Sequence, residues 1–436
     1  MKKTFSIAFF VLLLSLSVSY AENREHLSKE LGFLALSANE SSSSESGSGG
    51  SSLTNDIAEY AGRLSGIIGV FFLGILVLIG GGARFFDKKW GLPVVIFYHK
   101  ILAVITLFII LIHPVTLFIL KYFNAGSFSD IAVLLGPIAF LVLVLVVISS
   151  LLRKKFPYSL WIIIHRFSIL ALAAGVYHFF ALANWVKEYV VLSALVVAGA
   201  VLGVVGIILR ILSMLLYPTA KSRIIQVEMN SPGVYNVVVE KPQDFQFTAG
   251  QFCIISFNKP GLKNPHPFTI SSSPDEKNLV FAIKSMGKFT SQIHTLTPQD
   301  KVKIRGPFGV FTYRGNPSTL IAGGVGITPF RSILGDLKEK ECPPVTLLYG
   351  SRTEMSIIFH NWFSQNVPLQ VVHILSQEEK QGFLYGNIDE EFLKTPAERG
   401  DDFYVCGPPA MVKSIKKILG KLGVRRKRIY SEKFFY

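Results

Sequence analysis

Four histidines lie inside long apolar runs of this sequence, where ionisable side chains are costly and usually functional. His99 and His113 share one run, and His165 and His178 share another. Fourteen residues separate the first two and thirteen separate the second two, which is about 21 and 20 Å along an α-helix. If both helices cross a membrane in the same direction, His99 lies level with His165 and His113 lies level with His178.

This spacing favours two six-coordinate haems, each held by one imidazole from each helix. Zinc fits less well, because no Cys, Asp or Glu completes a tetrahedral set within these runs. Thirteen residues turn an α-helix about 140° away from its starting face. We therefore expect the second helix either to contain a bulge or to present its two histidines from different sides. Arg166 and Arg210 could pair with haem propionates or act as snorkelling anchors.

A second group of candidates lies in "NPHPFTIS", residues 264–271. Phe268 is a residue type that packs on a flavin ring, and Thr269 could hydrogen-bond near the redox-active nitrogen of that ring. A buried aromatic at a strand edge would explain Phe268 equally well. Gly287 and Thr290 belong to "GKFTSQ", which is predicted to open a helix whose N–H groups face the FAD pyrophosphate. The other residues of this predicted FAD site are His266, Pro267 and Ser271.

Two glycine-rich turns follow apolar strands near the C-terminus, in "LIAGGVGITPF" (320–330) and "YVCGPPAM" (404–411). Such glycines let the backbone approach a pyrophosphate at a helix N-terminus, although a purely structural turn is the alternative for either one. Two turns in one α/β unit predict a nucleotide crevice at the carboxyl ends of parallel strands. The predicted NAD(P)H-binding residues are Gly323, Gly324, Gly326, Thr328, Pro329, Cys406, Gly407 and Pro408. Cys406 lies at a strand end, where the nicotinamide ring could bind.

Arg352 bears on the choice of nucleotide. It follows "LLYGS" at the end of a predicted strand, where a guanidinium would meet the 2′-phosphate of NADPH. Glu354, two residues further on, would suit the free ribose hydroxyl of NADH. The sequence favours NADPH and leaves NADH open.

The elements that carry the histidines are apolar spans. Half of the 436 residues are hydrophobic and only 17% are charged, whereas about a quarter of a soluble protein is charged. This composition argues against a soluble, disordered or fibrous protein. Five runs reach the ~20 residues that a bilayer requires; they cover 64–82, 93–120, 131–152, 158–183 and 189–216. The shorter run at 4–20 is either a secretory signal or a retained first span.

Charges between the spans predict their orientation. The chain has a net charge of +15, and clusters of Lys and Arg follow the runs at 64–82 and 131–152. Because cytoplasmic loops carry the excess of Lys and Arg, these clusters are predicted to be cytoplasmic and the Ser-rich segment within 22–56 to be extracytoplasmic. The last span should then end in the cytoplasm. All three cysteines follow it, and this odd number favours a reducing compartment over a disulfide framework.

The pattern changes after the last span. Residues 218–314 alternate apolar and polar in short runs, which predicts an antiparallel β-barrel. Residues 315–436 alternate apolar strands with helical segments, which predicts an α/β domain with a parallel sheet. We therefore predict a multidomain membrane protein with an α-helical bundle of five or six spans, a β-barrel FAD domain and a parallel-sheet NAD(P)-binding domain. The predicted segments are 1–21 (signal or first span), 22–56 (linker), 57–217 (dihaem bundle), 218–314 and 315–436.

Taken together, these motifs resemble the ferric reductase / NADPH oxidase family of membrane flavocytochromes b, over about residues 60–436. "YHK" with "IHP" (98–114) and "WIIIHRFS…GVYHFF" (161–180) match the family's haem-ligand helices in order and spacing. "HPFTIS" matches its FAD motif, and "GGVGITP" and "CGPP" match its NAD(P)H motifs. "SEKFFY" matches the aromatic terminus of the family.

The resemblance implies an enzyme of the cell membrane with cytoplasmic nucleotide-binding domains. Electrons from NAD(P)H would pass through FAD and two b-type haems to molecular oxygen or a ferric chelate outside. The inner haem would be held by His99 and His165, and the outer haem by His113 and His178. Phe434 would stack on the flavin until nicotinamide displaces it, with Phe435 or Tyr436 as alternatives for this role.

Two other functions stay open at this stage. The chain could be a haem-binding electron-transfer subunit or redox sensor with a degenerate reductase half, although its intact nucleotide motifs argue against this. A transporter would leave those motifs unexplained. The expected partners are a lipid bilayer and a small acceptor, with no nucleic acid; the sequence indicates no particular protein partner.

Overall fold

The computed structural model describes residues 49–119, 131–182, 190–338, 340–366 and 370–432. Within these ranges the chain forms a bundle of long helices, then an antiparallel sheet, then a parallel sheet flanked by helices. The order matches the predicted fold class. The run at 4–20 and the aromatic residues Phe434, Phe435 and Tyr436 lie outside the described residues.

The bundle contains one short helix and five helices that are long and apolar enough to cross a membrane. Its helices are α1 (Gly49–Gly81), α2 (Ala83–Trp90), α3 (Leu92–Ile119), α4 (Ile131–Leu151), α5 (Tyr158–Leu182) and α6 (Val190–Leu216). All five predicted spans are confirmed as helices. Helix α1 begins at Gly49, within the segment 22–56 that was predicted to be a linker.

Glycine ends the short helix α2 and sets its angle to the next span. Gly91 follows α2 with a φ of 80°, a left-handed conformation that favours glycine. Pro93 then lies in the first turn of α3, where its missing N–H costs no hydrogen bond. The charged helix α2 therefore lies between two spans, at the end of the bundle that meets the antiparallel sheet.

Helix α1 packs against both α3 and α6. A Cβ atom on Gly74 would lie 2.0 Å from the carbonyl oxygen of Gly199, and one on Gly81 would lie 1.9 Å from that of Gly206. Small residues let membrane helices approach this closely. Large apolar side chains such as Phe108 and Leu141 are exposed on the outside of the bundle, as expected for a surface in contact with lipid.

The antiparallel sheet has six strands in the order β4-β3-β6-β1-β2-β5. They are β1 (Ala220–Ser231), β2 (Val234–Glu240), β3 (Phe252–Phe257), β4 (His266–Thr269), β5 (Asn278–Lys284) and β6 (Lys301–Phe308). The edge strands β4 and β5 contact each other, and the enclosed core is apolar, with Phe281 and Ile255 fully buried. The predicted barrel is thereby confirmed, although the sequence patterns missed β1 and β4.

The parallel sheet follows in the order β10-β9-β8-β7-β11-β12. Its strands are β7 (Ser318–Gly323), β8 (Val345–Ser351), β9 (Gln370–Leu375), β10 (Leu384–Tyr385), β11 (Asp402–Cys406) and β12 (Ile429–Glu432). The helices are α7 (Thr328–Leu337), α8 (His360–Asn366), α9 (Glu390–Arg399) and α10 (Pro409–Lys421). The strand order reverses between β7 and β11, and such a switch point is where open α/β sheets bind ligands.

Candidate functional site

The four histidines of the bundle form two pairs between α3 and α5. The ring centres of His99 and His165 lie 6.0 Å apart with an interplanar angle of 62°, and those of His113 and His178 lie 6.2 Å apart at 82°. We call His99/His165 the inner pair, because it lies near the end of the bundle that meets the β-barrel, and His113/His178 the outer pair. The predicted pairing at two depths is therefore present in the structure.

Backbone carbonyls hold the outer pair. Nδ1 of His113 lies 3.0 Å from the carbonyl oxygen of Gly62, and Nδ1 of His178 lies 2.7 Å from that of Ala132. A carbonyl oxygen only accepts hydrogen bonds, so each Nδ1 carries the proton and each Nε2 keeps a free lone pair. Both outer imidazoles are therefore set up to bind a metal ion through Nε2.

Side chains, rather than backbone, hold the inner pair. Nδ1 of His165 lies 3.4 Å from the hydroxyl oxygen of Ser150, and the indole N–H of Trp161 donates to the same oxygen at 3.2 Å. The Trp161 ring also stacks on the His165 imidazole, with ring centres 5.2 Å apart. Nδ1 of His99 is buried and has no hydrogen-bond partner within the described part of the chain. The two pairs thus differ in their supporting groups.

Helix α5 shows how two histidines thirteen residues apart, His165 and His178, are presented to α3. It is a continuous α-helix from Tyr158 to Leu182, so the alternative of a bulge is wrong and the two histidines leave the helix in different directions. Among the described residues, no group of three or more His, Cys, Asp or Glu side chains could hold a metal ion.

Glycines make room for the imidazoles. A Cβ atom on Gly136 would lie 2.7 Å from the His178 ring, and one on Gly66 would lie 3.1 Å from the His113 ring. A Cβ atom on Gly80 would lie at an ordinary 3.7 Å from His99. The outer pair is consequently the more tightly enclosed of the two.

The predicted FAD residues lie together on and after strand β4. His266 stacks on Phe289, with ring centres 3.9 Å apart, and Phe268 lies against the same ring at 6.2 Å. Thr269 and Ser271 are buried, and the Ser271 hydroxyl oxygen has no hydrogen-bond partner. Pro267 lies between the aromatic residues on β4. An unpaired buried hydroxyl beside exposed strand residues is consistent with a polar ligand at this edge.

The turn predicted to face a pyrophosphate is closed by Thr290. Its hydroxyl oxygen accepts the N–H groups of Met286 at 2.9 Å and Gly287 at 3.0 Å, and it begins a short 3₁₀-helix that ends at Thr295. A Cβ atom on Gly287 would meet nothing within 4 Å. The predicted helix is therefore a short 3₁₀-helix, and Thr290 already accepts two N–H groups of the turn that precedes it.

The two glycine-rich turns meet at the switch point between β7 and β11. A Cβ atom on Gly326 would lie 2.2 Å from the carbonyl oxygen of Cys406, and one on Gly407 would lie 3.1 Å from the Gly323 backbone. Gly324 has a φ of +51° with open space around it. Close packing of the two turns thus requires glycine at Gly323, Gly326 and Gly407, and the positive φ requires it at Gly324. The remaining turn residues, Thr328, Pro329 and Pro408, lie at the starts of α7 and α10.

The charges near Arg352 bear on nucleotide choice. Arg352 follows β8 and its side chain is exposed, as the sequence predicted. Glu354 is paired with Lys380, and the Lys380 ammonium lowers the pKa of the Glu354 carboxyl. Since Lys380 already neutralises Glu354, the residue that favoured NADH is engaged elsewhere.

Cys406 is fully buried, and β11 places it opposite Glu432 of β12. Burial, followed by the nearby Glu432 carboxylate, raises the pKa of the Cys406 thiol well above its ordinary value. Burial, followed by the charge of Asp87, raises the pKa of Glu432 to about 7. Cys406 is therefore a neutral thiol, and Glu432 is a titratable group at the carboxyl ends of the strands.

Two side chains of helix α2 join the bundle to the barrel. The Arg84 guanidinium lies between the rings of Tyr217, at 4.5 Å, and Phe308, at 4.3 Å, and donates to the carbonyl oxygen of Pro307. The Asp87 carboxylate accepts the N–H of Gly309 at 3.1 Å. Burial lowers the pKa of Arg84 and raises that of Asp87. This junction brings the inner histidine pair to the barrel.

A second contact region lies on the loop between α4 and α5. Arg153 lies over the Trp161 ring at 4.8 Å, and its charge, after burial, contributes to lowering the pKa of His266. In the sequence, Arg84 and Arg153 belong to the basic clusters that predicted orientation, and Asp87, Ser150 and Trp161 were not predicted. The lone acidic residue among the cations of α2 was the signal that could have identified Asp87.

Three family models match the chain in succession. The model for the ferric reductase like transmembrane component matches residues 65–176, that for an FAD-binding domain matches 219–315, and that for an oxidoreductase NAD-binding domain matches 320–417. With the spans, the barrel and the parallel sheet, these matches define a multi-span membrane oxidoreductase that depends on NAD(P)H and FAD. The chain belongs to the ferric reductase / NADPH oxidase family.

Curated relatives match up to about half of the chain. It is 28% identical to sulfhydrogenase 2 subunit gamma of Pyrococcus furiosus, over 44% of this chain and 73% of that protein. It is 30% identical to a probable dihydroorotate dehydrogenase B electron transfer subunit of Methanocaldococcus jannaschii, over 46% of this chain and 74% of the relative. Ferredoxin–NADP reductase B of Sorangium cellulosum is 26% identical, over 49% and 97% of the two chains.

Solved structures are similar over the same extent. The FAD/NAD-binding domain of a nitric oxide dioxygenase from Vibrio cholerae is 26% identical, with a TM-score of 0.45, over 49% of this chain and 98% of that domain. A ferredoxin NADP+ reductase from Neisseria gonorrhoeae is 19% identical, with a TM-score of 0.45, over 50% and 99% of the two chains.

Proposed function

We propose that the protein transfers electrons from NAD(P)H through FAD and two b-type haems to a one-electron acceptor on the opposite side of the membrane. The observation that carries this proposal is the geometry of the two histidine pairs. An imidazole nitrogen binds a first-row metal ion at about 2 Å and lies roughly 1 Å from its ring centre, so two imidazoles on one ion have centres about 6 Å apart. The measured 6.0 and 6.2 Å fit this value.

The protonation states of the outer pair support the same assignment. Carbonyl acceptors fix the proton of His113 and His178 on Nδ1, which leaves Nε2 to bind iron. On the barrel side of the bundle, Arg210 lies within electrostatic range of both Arg166 and Arg305. None of the three forms an ion pair among the described residues. Carboxylates such as haem propionates would neutralise this cluster.

FAD can accept a hydride and release electrons singly, while haem iron exchanges one electron at a time. The chain supplies binding and spacing for this chemistry. The glycine-rich turns and Arg352 would bind the nucleotide, β4 and Ser271 would bind the flavin, and α3 and α5 would bind the two haems. Phe434 is proposed to cover the flavin, and Cys406 to border the nicotinamide as a neutral thiol.

We propose NADPH as the favoured nucleotide. Arg352 is exposed after β8, and Glu354 is paired with Lys380, so a 2′-phosphate would meet the Arg352 cation, and the Glu354 carboxylate is already neutralised. Arg352→Ala should raise the KM for NADPH at least tenfold and leave that for NADH nearly unchanged. Lys394→Ala, an exposed cation on α9, is the control. Equal changes for both nucleotides would contradict this role for Arg352.

The acceptor is proposed to be molecular oxygen or a ferric chelate, without preference between them. The loops that join the spans on the predicted outer side, about 121–130 and 184–188, lie outside the described residues. The location is proposed to be the cell membrane, with both nucleotide-binding domains in the cytoplasm, because the basic residues of α2 and of the α4–α5 loop lie on the barrel side.

The test uses purified protein and sealed vesicles. A pyridine haemochrome assay should give two haems per chain, and NADPH should reduce them. Right-side-out vesicles loaded with NADPH should reduce an impermeant ferric chelate, or superoxide-reporting cytochrome c, on the outside only. Haems that NAD(P)H does not reduce would support an electron-transfer subunit or sensor instead. Product only in the lumen would refute the proposed orientation.

A further inference from the structure

The hydroxyl of Ser150 lies at the centre of a hydrogen-bond network beside the inner pair. It donates to the carbonyl oxygen of Val146 at 2.7 Å, so its only hydrogen is used. Its oxygen accepts the indole N–H of Trp161 at 3.2 Å and lies 3.4 Å from Nδ1 of His165. Because a serine hydroxyl has one hydrogen and two lone pairs, this oxygen can only accept from Nδ1. The His165 proton is therefore on Nδ1, and Nε2 is free to face His99.

Trp161 restricts the plane of the same imidazole. It precedes His165 by one helical turn, so both side chains lie on one face of α5. The rings stack with an interplanar angle of 27°, and the indole N–H to Ser150 keeps the ring from turning. The rotation of His165 about its side-chain bonds is thus limited from one side by a ring and from another by a hydroxyl.

Arg153 extends this arrangement to the α4–α5 loop. Its guanidinium lies 4.8 Å from the centre of the Trp161 ring, a distance typical of a cation–π contact. The outer pair is held differently, by the carbonyl oxygens of Gly62 and Ala132.

We propose that Ser150 and Trp161 are positioning residues of the inner site, fixing the tautomer and ring plane of His165, and that Arg153 helps to hold the Trp161 ring in place. This inference rests on the proposed haem assignment. A hydrogen bond from Nδ1–H to an acceptor makes the imidazole a stronger donor and favours ferric iron. Losing the Ser150 hydroxyl should therefore raise the midpoint potential of the inner haem.

Ser149 provides a matched control for this test. It is adjacent to Ser150 on the same helix and donates to the same carbonyl oxygen, that of Val146, at 3.0 Å. Ser150→Ala should raise the midpoint potential of one haem and change its low-spin EPR signal, which depends on the angle between the two imidazole planes. Ser149→Ala should change neither the midpoint potential nor the EPR signal. Ser150→Thr keeps the hydroxyl and should give the wild-type values of both.

The role of the ring is tested in the same way. Trp161→Leu should broaden the EPR signal of one haem, whereas Trp161→Phe should retain more of the wild-type signal because it keeps the stacked ring. Phe167→Leu, at an exposed position on the same helix, should have no effect. Arg153→Gln should change the EPR signal of the same haem less than Trp161→Leu does. Lys155→Gln is the control for Arg153→Gln.

The outcomes separate this inference from the proposed function. Wild-type protein with two haems, in which Ser150→Ala and Ser149→Ala behave alike, would overturn the positioning role and leave the haem assignment intact. Equal shifts of both haems in Ser150→Ala would also overturn it. Wild-type protein without haem would overturn both proposals.

Discussion

The inner and outer histidine pairs have nearly the same ring separation but different supports. Carbonyl oxygens of α1 and α4 fix His113 and His178, and glycines enclose both rings. Ser150 and Trp161 support His165, while Nδ1 of His99 has no partner. A site held by backbone is constrained by helix packing, whereas a site held by side chains can be tuned. The tunable pair is the one next to the barrel.

The largest expected effect comes from removing a ligand of either pair. His165→Ala or His178→Ala should each lower the haem content from two per chain to one, because bis-histidine ligation needs both imidazoles. The pyridine haemochrome assay measures this directly, and NAD(P)H-dependent reduction of a soluble flavin-level dye should persist in both variants. His360→Ala, in the nucleotide-binding domain, should keep both haems. Two haems in His165→Ala would contradict the assignment of the inner pair.

A methyl group added next to each histidine pair should show that the outer pair is more tightly enclosed than the inner pair. Gly136→Ala places a Cβ 2.7 Å from the His178 ring, so the ring must move and haem affinity at the outer site should fall on the order of tenfold. Gly80→Ala places its Cβ at 3.7 Å from His99 and should leave the inner site occupied. Haem retention during dilution measures both. Equal loss of haem from Gly136→Ala and Gly80→Ala would show that the two pairs are equally enclosed.

The supports should also give the two sites different potentials. A carbonyl accepts a hydrogen bond more strongly than a serine hydroxyl at 3.4 Å, so the outer imidazoles are the stronger donors. We expect the outer haem to have the lower midpoint potential by roughly 30–60 mV, or a few-fold to tenfold in equilibrium constant. His165→Ala and His178→Ala are each expected to keep one haem, so the midpoint potential of each haem can be titrated alone. An outer haem with the higher potential would show that other charges dominate.

The smallest expected effect concerns pH at the inner end of the bundle. In the folded protein the pKa of Glu432 is raised to about 7, above its ordinary value. The folded protein therefore binds the proton of Glu432 more tightly than the unfolded chain does. Stability should therefore fall as pH rises from about 4.5 to about 7 and then level off. Glu432→Gln should be neutral near pH 4.5 and stabilising at pH 8, by on the order of 1–3 kcal/mol.

Thermal unfolding at the two pH values measures this effect. Glu398→Gln, at an exposed carboxylate of α9, is the control and should change little at either pH. A similar stabilisation at both pH values would show that the pKa of Glu432 is not raised in the folded protein.

Much of the site could be predicted because its residue types are rare in their surroundings. Histidines in apolar runs and glycines between a strand and a helix stand out in any sequence, and their spacing follows from helix and strand geometry. Strands β1 and β4 were missed for different reasons: the burial of β1 does not alternate regularly, and β4 has only four residues and contains Pro267. The supports were missed because nothing distinguishes Ser150 from Ser149 in the sequence.

The sequence by itself determined the spans, the order of the domains, the four histidines and the two glycine-rich turns, because local periodicity and composition encode them. The tertiary structure decided which serine faces His165, which carbonyls fix His113 and His178, and how Arg84 and Asp87 join the bundle to the barrel. These contacts connect residues far apart in the chain, up to the 223 positions between Arg84 and Pro307. Only the packing of whole helices and sheets brings such groups within hydrogen-bonding distance.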